Sequence, residues 1–99
     1  MQDILQRLVA ANIELLPLNQ VERHWVFVRD GFGALVERTK ENGFGKIGSP
    51  GLLTERGMAV FITRGGANLF VAKEIEIAAS DEDIETMRRF ARDLAAALG

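Results

Sequence analysis

The sequence predicts an α+β fold in which an N-terminal and a C-terminal helix pack on one face of an antiparallel β-meander of four to six strands. Apolar residues recur at helical spacing near the two ends of the chain, whereas the middle consists of short apolar segments separated by glycine-containing turns. The 99 residues contain no repeat and no linker, and a chain of this length can bury one core without staples. We therefore expect a single α+β domain over residues 1–99.

The first two elements are a helix and an extended segment. Residues 2–12 place their apolar side chains three and four positions apart, which is typical of an amphipathic helix of about three turns. Residues 12–19 are expected to be extended. Pro17 restricts this segment to the edge or the end of a strand, because proline has no backbone N–H to donate.

A first hairpin is predicted at Asp30-Gly31, which lies between the apolar segments 25–28 and 34–36. Glycine accepts the positive φ that such a tight turn requires. A two-residue loop would place His24 opposite Glu37, although Gly33 leaves the loop length open.

A second hairpin is predicted at Gly65-Gly66. Strand alternation then divides the apolar side chains that flank it between the two faces of the sheet. The expected cross-strand pairs are Ile62 with Leu69, Phe61 with Phe70, and Val60 with Val71. One face is expected to carry Val60, Ile62, Leu69 and Val71, extended by Ile75 and Ile77. The other is expected to carry Ala59, Phe61, Phe70 and Ala72, followed by Glu74 and Glu76.

The C-terminal segment shows the strongest helical pattern. Ser80 is a typical N-cap, and Asp83 follows three residues later, where its carboxylate can complete the cap. The expected buried stripe consists of Ile84, Met87, Phe90, Ala91, Leu94 and Leu98.

Three arginines, Arg88, Arg89 and Arg92, lie off this stripe, and Glu85 can pair with Arg89 four residues later. We interpret them as a solvated helix face in the C-terminal half of the helix, where cations are favourable. The alternative is that they bind phosphate or an acidic partner.

Composition and charge exclude several classes of function. The net charge is −2, with acidic and basic residues interspersed, which disfavours nucleic-acid binding because such domains are usually basic. The chain has no cysteine, so disulfides and thiolate metal sites are excluded, and this fits the cytoplasm. The N-terminus does not resemble a signal peptide, and nowhere do about 18 apolar residues run together to cross a membrane. We expect no metal and no cofactor.

The glycines of the segment ENGFGKIGSPG fit the pattern G-x-G-x-x-G at Gly43, Gly45 and Gly48. A dinucleotide-binding loop would open a helix at the third glycine, whereas residues 49–51 are Ser-Pro-Gly and no helical pattern follows. We therefore interpret the segment as a glycine-rich turn or bulge between strands, with close approach of two backbones.

The alternative hypothesis is a small ligand-binding domain or enzyme that holds a small anionic molecule at a mobile glycine-rich loop, residues 43–51. Free backbone N–H groups, two cations and the only histidine would then recognise the ligand. The residues of this candidate site are Gly43, Gly45, Lys46, Gly48, Ser49, Arg56 and His24.

The sheet is apolar on both faces, and two helices can cover only one of them. The aromatic side chains Trp25, Phe27, Phe61 and Phe70, or whichever set faces away from the helices, therefore need another cover. Three covers are possible: a second copy of the chain, strong curvature of the sheet, or the segment GFGKIGSPGLL folded over it. In the last case the covering side chains would be Phe44, Ile47, Leu52 and Leu53. We expect a homodimeric interaction module rather than an enzyme.

Overall fold

The computed structural model describes residues 3–16, 24–41 and 43–99. The elements are α1 (Ile4–Ala10), β1 (Glu14–Leu16), β2 (His24–Arg29), β3 (Phe32–Arg38), β4 (Phe44–Ile47), β5 (Gly51–Thr54), β6 (Gly57–Arg64), β7 (Ala67–Ala72), β8 (Ile75–Ala78) and α2 (Asp81–Leu98). The strands form one antiparallel sheet in the order β1-β2-β3-β5-β6-β7-β8, and β4 also pairs with β3. The predicted α+β class with an antiparallel sheet is confirmed. The expected number of strands was too low, because the described residues contain eight.

Both predicted hairpins are present with two-residue loops. Asp30 and Gly31 have φ of 53° and 83°, which matches the twist of the flanking strands. The register of β2 and β3 places His24 opposite Glu37, as predicted. The pairing of β6 with β7 across Gly65-Gly66 also agrees with the prediction at all three residue pairs.

The prediction for Ile75 and Ile77 was wrong. The chain turns again between β7 and β8, with φ of 64° at Glu74, so that Ile75 pairs with Ala72 and Ile77 with Phe70. A two-residue turn places the two residues that flank it on the same face, whereas an uninterrupted strand would have placed Ile75 with Val71. Both isoleucines therefore lie on the face of the phenylalanines.

Both helices begin at side-chain caps. Asp3 accepts a hydrogen bond from the backbone N–H of Gln6 at 2.8 Å, and α1 is shorter than the predicted segment 2–12. At α2, the Ser80 hydroxyl accepts from the Asp83 N–H at 3.0 Å, and the Asp83 carboxylate accepts from the Ser80 N–H at 3.3 Å. The predicted capping of α2 is thereby confirmed.

The core lies on the side of the sheet that faces α2, which we call the inner face. Phe27, Val36 and Phe70 from the sheet are fully buried there against Phe90 and Leu94 of α2. Leu8 of the other helix, α1, belongs to the same cluster. Side chains at the alternate strand positions point to the opposite side, which we call the outer face.

A charged residue, Arg29, anchors the inner face to the helices. Arg29, at the end of β2, donates hydrogen bonds to the backbone oxygen of Ala11 at 3.0 Å and to the Asp93 carboxylate at 2.9 Å. Its guanidinium also lies over the Phe90 ring, 5.8 Å from the centroid. This contact ties the sheet to both helices, and the hydrogen bond from Arg29 is the main reason why the pKa of Asp93 is lowered.

The glycine-rich segment belongs to the sheet. β4 and β5 follow one another along β3, with Ile47 opposite Val36 and Leu52 opposite Phe32, and residues 48–50 separate them. An added Cβ on Gly51 would collide with the carbonyl oxygen of Ala59. The interpretation as a bent segment with close backbone approach is therefore supported. Phe44, Ile47 and Leu52 pack against the core, so the segment is a part of the sheet and does not fold over it.

Candidate functional site

The outer face of β5 to β7 carries a group of aliphatic side chains that are exposed or half-buried. Val60 is 52% exposed, and Ile62, Leu69 and Val71 surround it as neighbours on β6 and β7. None of these four side chains belongs to the core cluster or packs against it. We call this group together with Leu53 the aliphatic face.

Two glycines make room at the border of this surface, on β3 and β5. Gly33 and Gly51 are paired across β3 and β5. The Leu53 side chain lies over Gly33, with Cδ2 2.9 Å from the position of a built Cβ, and the Met58 Cγ lies 2.8 Å from the corresponding position on Gly51. Leu53, itself 37% exposed, therefore extends the aliphatic face towards β3.

Charged side chains lie on this side of the sheet as well as beside it. Arg64 of β6 pairs with Glu76 of β8 at 2.6 Å, so this pair crosses the outer side of β7, which lies between the two strands. Arg56 pairs with Glu74 at 3.3 Å in the turns at the opposite end. An apolar patch bordered by polar groups is typical of an interaction surface.

The aromatic residues named as a candidate interface all lie on the inner face. Phe27 and Phe70 are fully buried, and Phe61 packs against Phe70 with ring centroids 5.7 Å apart. Trp25 donates its indole N–H to the Gly43 oxygen at 3.1 Å. The side chains that face away from the helices are therefore the aliphatic ones, and an expected second copy would have to cover them.

The candidate glycine loop has part of its backbone already engaged. The N–H of Gly43 donates to the Thr39 hydroxyl at 2.8 Å, and the N–H of Gly48 donates to the Leu35 oxygen at 2.7 Å. These two groups therefore have partners within the chain. An added Cβ on Gly45 would lie 3.3 Å from Glu37, which places Gly45 beside β3.

The two cations named for this loop lie far apart. Lys46 is exposed on β4, next in the chain to Gly45, which lies beside Glu37 near one end of β3. Arg56 follows β5 beyond the other end of β3, where the Leu53 N–H bonds to the Gly31 oxygen. The strand between them is roughly 20 Å long. His24 is at the Lys46 end, and Ser49 is exposed between β4 and β5.

A groove that the sequence did not reveal lies between α2 and the tip of the β6–β7 hairpin. Its volume is about 630 Å³, and Arg88, Arg89 and Arg92 line it along α2. The sequence pattern favours a solvated face in the C-terminal half of the helix, with binding of phosphate or an acidic partner as the alternative. The last turn of α2 contains no basic residue, however, and this alone was a signal that the helix dipole does not account for the arginines.

No group of three or more histidine, aspartate or glutamate side chains within residues 3–16, 24–41 and 43–99 could hold a metal ion. Neither described helix has the length and apolarity needed to cross a membrane. Comparison with protein families, curated proteins and solved structures found no match to this chain. Any proposal for its function therefore depends on the two surfaces described above.

Proposed function

We propose that the protein is an interaction module that works as a homodimer, with a second copy seated on the aliphatic face. The observation that carries this proposal is the exposure of Val60 and Leu53 on a sheet whose other face packs against α2. A contiguous apolar surface is costly in water unless something covers it.

A second copy is the occupant that the charges favour. The charges near the aliphatic face are already neutralised in pairs, Arg64 with Glu76 and Arg56 with Glu74, so the face does not select a strongly charged partner. Two-fold association of identical faces needs no such charge, and it is the commonest form of self-association.

The test is the solution mass by size exclusion with light scattering over a concentration series, for the wild type and for Val60→Lys. We expect two chains of 10.9 kDa for the wild type. Lysine at the centre of the interface would have to lose its hydration, so Val60→Lys should give the mass of a single chain while remaining folded.

The matched control is Val9→Lys, which places the same charge on the side of α1, where Val9 is 75% exposed. It should leave the dimer intact. A wild-type mass of one chain at every concentration would overturn the proposal. Loss of the dimer in Val9→Lys but not in Val60→Lys would place the second copy on α1 instead.

A further inference from the structure

We propose that the groove between α2 and the β6–β7 hairpin, called here the arginine groove, binds a small organic anion. The anion carries a phosphate or carboxylate group and a flat apolar part. The groove opens on the inner side of the sheet, away from the aliphatic face, so the inference does not depend on dimer formation.

The shape and the floor of the groove suit a molecule of this kind. Its volume of about 630 Å³ lies within the ~300–1,000 Å³ that is usual for small-molecule pockets. Phe61 and Ile84 supply an aromatic and an aliphatic surface at the floor. A flat apolar group can lie against the Phe61 ring there.

The hairpin side of the groove supplies donors. Thr63 and Asn68 form a cross-strand pair on the inner face beyond the last buried residues of the sheet. The Thr63 hydroxyl donates to the Asn68 amide oxygen at 3.1 Å. This bond leaves the amide N–H groups of Asn68 as donors at the groove.

The helix side supplies arginines whose guanidinium groups have few partners within the described part of the chain. Arg88 makes no hydrogen bond or ion pair with any residue in the described part of the chain. Arg92 is 3.5 Å from Asp93, a carboxylate that Arg29 already holds at 2.9 Å. Arg88 and Arg92 are four positions apart and therefore lie on the same side of α2. Two adjacent guanidinium groups repel each other, and an anion between them removes that repulsion and accepts paired hydrogen bonds.

Two carboxylates also line the groove, and their positions orient the ligand. Glu85 is paired with Arg89 at 3.0 Å, which leaves Asp81 at the N-terminal end of α2 as the other acidic group. The lining therefore carries three arginines against two carboxylates, with the positive excess at Arg88 and Arg92. The anionic group belongs at that end, and the apolar part lies over the floor formed by Phe61 and Ile84.

The first experiment is a titration of ¹⁵N-labelled protein with phenyl phosphate, followed by NMR. We expect saturable shifts at the Asn68 side-chain amide and the Arg88 Nε–H. Inorganic phosphate should bind at least about threefold more weakly, because it cannot use the Phe61 floor. Benzoate in a parallel titration shows whether phosphate or carboxylate is preferred, and binding of either with the same shifts supports the proposal. The absence of saturable shifts with both overturns it, and so does equal affinity for phenyl and inorganic phosphate.

The second experiment compares two variants that change the net charge equally. Arg88→Gln/Arg92→Gln removes the cations of the groove and should weaken binding of phenyl phosphate at least about tenfold. Lys40→Gln/Lys73→Gln removes two exposed cations outside the lining and should bind like the wild type. Asn68→Asp, at an exposed position, should also weaken binding. Equal loss in both double variants would mean attraction to net charge alone and would overturn the site.

Discussion

The two faces of the β6–β7 hairpin both carry apolar side chains, but their surroundings differ. Phe70 and Val71 are neighbours in the chain, yet Phe70 is fully buried below α2 while Val71 lies on the aliphatic face outside the core cluster. Both residues are apolar, so hydrophobicity alone does not distinguish them. The difference is made by the helix that covers one face, and it shows that an apolar residue becomes core only where another element reaches it.

The largest expected effect would test this difference directly. Phe70→Ala should lower the free energy of unfolding by about 3–5 kcal/mol, because it leaves a cavity in a close-packed cluster. Val71→Ala should cost less than about 1 kcal/mol in dilute, monomeric protein, where its side chain stays in contact with water. Urea unfolding followed by Trp25 fluorescence measures both. If the two variants cost the same in dilute solution, the two faces do not differ in the way described.

Gly33 and Gly51, which are paired on the outer face, allow a second comparison of stability. Gly51→Ala should destabilise by roughly 2–3 kcal/mol, because the added methyl group meets the Ala59 carbonyl oxygen, and the backbone of β6 must move. Gly33→Ala should cost less than about 1 kcal/mol, since the atom it meets is the end of the flexible Leu53 side chain. Thermal unfolding of the two variants gives the difference. A larger loss for Gly33→Ala would mean that Leu53 is held rigidly over the glycine.

The sequence predicted those parts of the fold that have a local cause. Asp30-Gly31 and Gly65-Gly66 can adopt positive φ at little cost, so both hairpins and their registers followed from the turns. The turn at Glu74 has no glycine, and without it the faces of Ile75 and Ile77 were assigned wrongly. A left-handed conformation at glutamate costs about 1–2 kcal/mol and is held by the surrounding pairing, which no local pattern reveals.

The candidate surfaces could not be predicted from local sequence, because residues that are far apart in the chain form them. Alternation showed that the sheet is apolar on both faces, but it did not show which face α2 covers. The arginine groove is formed by residues 61–68 and 81–92, and their approach depends on how α2 crosses the sheet. Sequence spacing placed Arg88 and Arg92 on one side of a helix, but it could not place Phe61 or Asn68 across from them.

Two ion pairs, one on each side of the sheet, allow the same comparison of stability for charged groups. Arg29, whose side chain is 11% exposed, pairs with Asp93 on the inner side, whereas Arg64 and Glu76 are both more than half exposed on the outer side. Arg29→Met should lower the free energy of unfolding by about 1.5–3 kcal/mol, because it removes two hydrogen bonds from a charged donor. Arg64→Met should cost less than about 0.5 kcal/mol despite its shorter contact, since water screens exposed pairs. Urea titrations of the two variants decide this, and equal costs would contradict it.

The smallest effect concerns the pH dependence of the inner pair. The hydrogen bond from Arg29 lowers the pKa of Asp93 below its usual 3.8, so the folded protein binds this proton less readily than the unfolded chain. The resulting stabilisation is complete at neutral pH and is lost as the pH falls below 3.8 through the lower pKa of the folded state. Asp93→Asn keeps an acceptor for Arg29 but no charge, so it should be about 1 kcal/mol less stable than the wild type at pH 7. The difference should shrink below pH 4, as the carboxylate of Asp93 takes up its proton. A gap between Asp93→Asn and the wild type that stays constant down to pH 2.5 would mean that the charge of Asp93 does not contribute to holding α2 on the inner face.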